Sequence, residues 1–367
     1  MALTSRHPMI RWAVPAVAVA AVGVAFVAPR AVADPALPPV TAEQLLVDLQ
    51  NSNVDAFSGT VQTRADLGLP ALPIGDSDVA ALTSGTHTIR VWHAGEDKSR
   101  VALLADGAET AMIRNGNDVW QWSSKERMAK HTVLSDHEGA GERPAPTATP
   151  RTPQEAAREM LAHIEPTTSV TVSQTARVAG RDAYELVLDP TSPDTLVAKI
   201  AIAVDSETKA PLRVEAWAVG KNQPALSVGF TSVDFTAPDD SVFAFRPPAG
   251  VAVEQVTPKG KDHREGQPAD KPAMDEPVTV GDGWDRVTIA RVPERPATTD
   301  EQPTTDPRHG DAAAQWEQTV QNLPTVQGPW GTGRVLTSAL VTVVLTDDGR
   351  VAMGMVPSER VVAAIPQ

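Results

Sequence analysis

Between residues 57 and 236, apolar and polar residues alternate with a period of two in a series of short runs, the pattern of strands that bury one face. The runs are 57–66, 86–93, 99–105, 109–114, 118–123, 169–178, 182–189, 196–204, 211–219 and 225–236. Asn115-Gly116 predicts a tight hairpin turn between the fourth and fifth runs. A two-residue or a four-residue loop there puts Ala111, Ile113, Trp120 and Trp122 on one face. Asp205–Lys209 reads as the hairpin loop between 196–204 and 211–219. Helical spacing appears first at Thr41, which forms a capping box with Gln44 ahead of Leu45, Leu46 and Leu49, with Val40 as a hydrophobic staple and a stop near Asn51–Asn53. It appears again after Thr152-Pro153, with Ala156, Met160, Leu161 and Ile164 apolar. Consecutive strands with only two helices predict an α+β domain, one antiparallel sheet curling around a few helices. They exclude the alternating β-α-β order of dinucleotide-binding folds.

Punctuation divides the chain further. Residues 67–84 and 138–153 read as loops rich in Pro, Gly and small residues. Residues 257–277 are charged, Pro-rich and nearly free of large apolar groups, which predicts a linker. A smaller α+β module follows over 278–367: a strand at 284–291, a loop, a helix at 311–323, a hairpin of 334–346 and 350–356 turning on Asp347-Asp348-Gly349, and a closing helix from Pro357.

The N-terminus has a different pattern. Arg6, His7 and Arg11 precede the apolar run 13–28, then come Pro29 and Ala31-Val32-Ala33. This is the charged, apolar and small-residue order of a secretory signal peptide, residues 1–33, with Ala31 and Ala33 placed for the peptidase. The run is shorter than the roughly 20 residues of a comfortable membrane span. An uncleaved anchor stays open as the alternative, and would tether the protein beside the membrane. The expected mature chain starts at Asp34, its first domain covers 34–256, and it works outside the cytosol. It has no cysteine, hence no disulfide and no thiol chemistry. Removing a segment with three Arg and no acid takes the net charge from −14 to −17, which speaks against nucleic acid as a partner.

Catalytic signatures are lacking. Ser227, in Ala225-Leu226-Ser227-Val228-Gly229, sits within a strand rather than on the strand-to-helix elbow that a serine nucleophile needs. Gly328–Arg334 has no Lys-Ser/Thr and leads into a strand, so it is a turn and not a phosphate cradle. The eight His are scattered without metal-ligand spacing. No enzyme activity, cofactor or metal is expected. The aromatic residues are more informative. Trp92, Trp120, Trp122 and Trp217 fall on strands, where they pack a core or line a cavity for an acyl chain. Each buried methylene contributes ~0.8 kcal/mol without any polar motif. The candidate lining is Trp92, Ile113, Trp120, Trp122, Tyr184, Leu186, Ile200 and Trp217.

Taken in order, several segments resemble the bacterial lipoprotein-carrier (LolA) and RseB-like superfamily. They are Thr41–Gln50, Phe57–Val61, Met112–Trp120, Gly180–Leu186, Ile202–Val214 and Phe243–Pro248. The resemblance covers about 38–250. It implies an unclosed barrel around helices with an apolar cavity for lipid or lipoprotein acyl chains, and no catalytic residue. The module at 278–367 is similar to the two-domain layout of RseB-like regulators, which bind the external part of a transmembrane anti-sigma factor. High Ala, Val, Pro and Asp content suggests a GC-rich actinobacterial genome. The expectation is an extracytoplasmic, non-catalytic lipid or lipoprotein carrier, with a regulator that binds a membrane protein's external domain as the alternative.

Overall fold

A computed structural model of the chain describes residues 37–52, 54–69, 84–105, 107–134, 152–153, 167–256, 277–291 and 318–367. All belong to one compact unit, Pro35–Gln367. The signal segment with Ala31 and Ala33, the linker through residue 276 and most of the helices expected after Pro153 and at 311–323 lie outside the described residues.

Helix α1 spans Ala42–Asn51, and its cap forms as the sequence predicts: the Thr41 side chain accepts a hydrogen bond from the Gln44 backbone N–H. The large sheet then takes twelve strands: β1 Ala56–Asp66, β2 Ser84–Ala94, β3 Lys98–Ala105, β4 Ala108–Asn115, β5 Asp118–Ser123, β6 Met128–Val133, β7 Thr168–Val178, β8 Arg181–Pro190, β9 Val197–Asp205, β10 Pro211–Ala218, β11 Pro224–Asp234 and β12 Ala252–Val256. Their spatial order is β12-β6-β5-β4-β3-β2-β1-β11-β10-β9-β8-β7, an unclosed sheet in which β1 joins two meanders. The hairpin between β4 and β5 pairs Asn115 with Asp118, so the loop has two residues, and Gly116 supplies the positive φ that it needs.

Two strands of this sheet are additions to the sequence reading. β6 is short, and β12 runs parallel to it at the edge. All five β12 residues are exposed, so no buried face imposes the alternation that marks a strand in sequence. The sheet is therefore not wholly antiparallel.

The second sheet contains β13 Val278–Val280, β14 Val287–Arg291, β15 Thr325–Gly328, β16 Gly331–Thr337, β17 Thr342–Thr346 and β18 Arg350–Gly354, ordered β13-β14-β18-β17-β16-β15. Helix α2, Ser358–Ala364, packs on it, and Val287, Ile289, Trp330, Val335, Val344, Ala352, Val356, Val361 and Ile365 form its own core. Two expectations are corrected. The strand expected at 284–291 starts at Val287, because Gly283–Asp285 is a turn of 3-10 helix that brings the Trp284 indole N–H to Thr168 Oγ1. The strand expected at 334–346 is broken at Ser338–Val341, where the Ser338 hydroxyl accepts from the backbone N–H of Leu340 and Val341 and donates to the Val341 carbonyl. That tongue leaves its own sheet and places Leu340 in the core of the large one.

Candidate functional site

Which side of the large sheet each candidate residue occupies follows from register, because residues directly opposite in a pair share a face and neighbours along a strand alternate. Leu186 stands opposite Ile202, Ile202 opposite Val214, Val214 opposite Val228 and Val228 opposite Thr63. Thr63 shares its side with Val61, which stands opposite Ile89. Tyr184 and Ile200, each two residues from a member of this chain, lie on the same side.

Trp92 is three residues after Ile89 on β2 and therefore faces the other way. It stands opposite Arg100, Arg100 opposite Ile113, Ile113 opposite Trp120 and Trp120 opposite His131. Trp122, two residues from Trp120, shares their side. Trp217 follows Ala216, which is opposite Ile200, so it too lies on the Trp92 side, opposite Lys199. It is three strands from Trp92 and six from Trp120, which at ~4.8 Å per strand is roughly 29 Å along the sheet. The eight residues proposed as one lining thus fall on two opposite sides, and the expected single cavity made of all of them does not form.

Each side is covered by a different part of the chain. On the first, Leu45 and Leu49 of α1 join Tyr184, Leu186, Leu188, Ile200, Ile202, Val204 and Leu340 in one cluster, in which Leu45 and Leu186 are fully buried. The Tyr184 hydroxyl donates to the Pro38 carbonyl, which ties down the approach to α1. This is the helix side.

On the second, residues 239–248 form a strap. Lys98 pairs with Asp240 at 2.9 Å, Arg100 donates to the Val242 carbonyl, and Phe243 is fully buried. Phe245 then lies 5.4 Å from the Trp120 ring and 6.0 Å from Trp122, both tilted aromatic contacts. The strap leads into β12, where Gln255 Oε1 meets His131 Nδ1 at 3.1 Å; His131 Nε2 meets Asp118 at 2.7 Å and its ring stacks on Trp120 at 4.1 Å. The family-like segment Phe243–Pro248 therefore packs, through Phe245, on tryptophans that the sequence left open between core packing and a cavity lining. Trp217 is half-buried under Lys199, whose ammonium lies 4.9 Å from the ring.

Two other family-like segments, Gly180–Leu186 and Ile202–Val214, build an ion pair in which Asp205 is buried. Asp205 closes the β9–β10 loop by accepting from the backbone N–H of Glu207 and Thr208 and from the Thr208 hydroxyl. Arg181 meets it with two hydrogen bonds, at 2.6 and 2.9 Å, and reaches Glu207 at 2.7 Å. Burial of Asp205 works to raise its pKa, but Arg181 and Thr208 outweigh that and hold the carboxyl below its ordinary value. Arg181 is raised in turn, chiefly by its hydrogen bond to Asp205. The Arg181 guanidinium also lies 4.9 Å from the Phe235 ring. The bonds of Asp205 are all made inside the fold, so the cluster fixes a hairpin.

A cavity of about 190 Å³ opens beside Asp66, Lys221, Asn222, Gln223 and Ala225, at the β10–β11 turn. It is smaller than a typical small-molecule site of ~300 Å³ or more and its rim is polar. Among the described residues, no group of three or more His, Cys, Asp or Glu is placed to hold a metal ion, and no helix is long and apolar enough to cross a membrane. The sequence offered no sign of Leu340 as a member of the large core, since Ser338–Val341 reads as part of a continuous apolar run.

No family model matches the chain, and no curated protein matches it. Among solved structures it is similar to a chain of the Pseudomonas aeruginosa MucA/MucB complex, with 18% identity over 88% of this chain and 96% of that one and a TM-score of 0.42. It is similar also to an uncharacterized conserved protein from Thermus thermophilus, at 13% identity over 59% and 99% with a TM-score of 0.33. A LolA superfamily protein from Nitrosomonas europaea matches at 14% identity over 56% and 98%, with a TM-score of 0.22. All three TM-scores lie below 0.5, and likeness at this level decides nothing about ligand or partner.

Proposed function

We propose that this is a non-catalytic binding protein that works outside the cytosol and holds the external segment of a membrane protein, using its two sheets as one surface. The observation that carries the reading is the way the sheets interlock. The Leu196 backbone N–H donates to the Met355 carbonyl and the Ala339 N–H to the Leu67 carbonyl, while Leu340 sits in the large core. A carrier that merely encloses an acyl chain needs one curved sheet. A second sheet adds to the surface available for protein recognition, which takes ~800 Å² per partner. The helix side is filled by the chain's own leucines, which leaves less room there for a lipid than the sequence reading expected.

The test is to purify the full chain with membrane proteins of its own host under mild detergent, identify the co-purified protein, and titrate its isolated external domain against the full chain and against a chain lacking 278–367. The expected result is saturable binding to the full chain and at least tenfold weaker binding to the truncated one. Equal affinity for both would remove the second sheet from the site.

Acyl binding remains the second reading on one observation. The cover of the Leu186 cluster is an amphipathic helix, α1, whose displacement would expose an apolar floor formed by Leu186, Leu188, Ile200 and Ile202.

A further inference from the structure

We infer that Ser338–Val341 is a latch, and that its release separates the two sheets while leaving each folded. The second sheet has a core of its own, nine buried side chains from Val287 to Ile365, to which Leu340 does not belong. Leu340 is buried instead among the side chains of the large sheet, with Ala339, Val341, Trp284 and Met355 packed around the same cluster.

The other contacts between the sheets are the partly buried Ala339, Val341, Trp284 and Met355 around that cluster, together with a set of polar contacts. The Ser192 hydroxyl meets both carboxylate oxygens of Asp285 at 2.6 and 2.7 Å, Thr195 donates to the Met355 carbonyl, Trp284 donates to Thr168, and Arg360 pairs with an exposed Asp194 at 3.3 Å. Water can replace each of these polar contacts at small net cost. It cannot replace the burial of Leu340. The tongue is also closed on itself: Ser338 N–H donates to the Val341 carbonyl and the Ser338 hydroxyl satisfies the turn. It can therefore leave the large sheet as a preformed unit, without unpaired backbone groups of its own beyond the Ala339 N–H that it gives to Leu67. Leu340, the most buried of the apolar side chains that cross between the sheets and carried on a self-contained turn, thus does most to hold the two sheets as one body.

The latch goes beyond the proposed function and is tested on the free, full-length protein, so its failure is separate from any failure of partner binding. Hydrogen exchange should be followed at the Ala339 and Leu196 amides, which cross between the sheets, and at Val344 and Ile202, which lie within them. Leu340→Ala removes three carbons of buried surface and is expected to speed exchange at the crossing amides by on the order of 50-fold, with Val344 and Ile202 unchanged. Leu340→Met, which keeps the volume, is expected to stay close to the parent. Equal acceleration at all four amides would show that the sheets unfold as one and would overturn the latch. Unchanged crossing amides in Leu340→Ala would overturn it as well.

Discussion

The helix side of the large sheet is covered by leucines of α1 and of the tongue, whereas the strap side is covered by an irregular segment that lays Phe245 over half-buried tryptophans. Leu45, Leu186 and Ile202 are fully out of water, while Trp92, Trp120 and Trp122 keep part of their rings exposed. The first side is a core in the ordinary sense. The second is a seam, closed by aromatic contacts and by ion pairs at its rim. Large aromatic residues in a strand are therefore no sign by themselves of a ligand cavity, since the chain supplies its own cover some 120 residues later.

The largest expected effect breaks the helix side. Leu186→Ala should lower stability by about 3 kcal/mol in urea denaturation, from lost burial and the cavity left beside α1. A loss below ~1 kcal/mol would mean that this side is loosely packed, and would favour the acyl-binding reading. Next comes the ion pair that closes the β9–β10 loop. Asp205→Asn should cost roughly 2–3 kcal/mol, because it leaves Arg181 without its main partner and removes a loop cap. The sign of the pH dependence follows from the lowered Asp205 carboxyl. Its stabilisation is complete above the unfolded value of ~3.9 and fades as pH falls through the lower folded value. The parent should therefore lose stability on acidification below about pH 4, with a smaller slope in the Asn variant.

The strap side should respond more weakly. A double-mutant cycle of Trp122→Ala and Phe245→Ala should give a coupling of about 1 kcal/mol, since the two rings pack on each other. Zero coupling would separate the strap from the tryptophans. The smallest effect belongs to the exposed ion pair. Lys98→Ala should change stability by no more than ~0.5 kcal/mol, with a loss that disappears at high salt. A larger loss would make that pair a clasp rather than a rim contact.

Much of this fold was legible in the sequence. Period-two alternation located most strands of the large sheet, and Thr41 and Asn115-Gly116 marked a helix start and a two-residue turn. Two features escaped for a physical reason. Alternation records only that one face is buried, so it found β12 illegible, with all five residues exposed, and read the tongue into a strand because Leu340 is as apolar as a strand residue. The sides were the larger gap. Pattern within one strand cannot say which of its faces meets which face of a strand far along the chain. That needs the register through β11, β1 and β2, which places Leu186 and Trp120 on opposite faces of the sheet.

The central claim, that the large sheet is filled by its own chain and recognises a protein, is tested most directly by native mass spectrometry of the full chain purified from its own host. The account predicts the bare mass of the processed chain, or that mass plus a polypeptide. A reproducible adduct of acyl-lipid mass, retained in the gas phase and released by organic extraction, would contradict it.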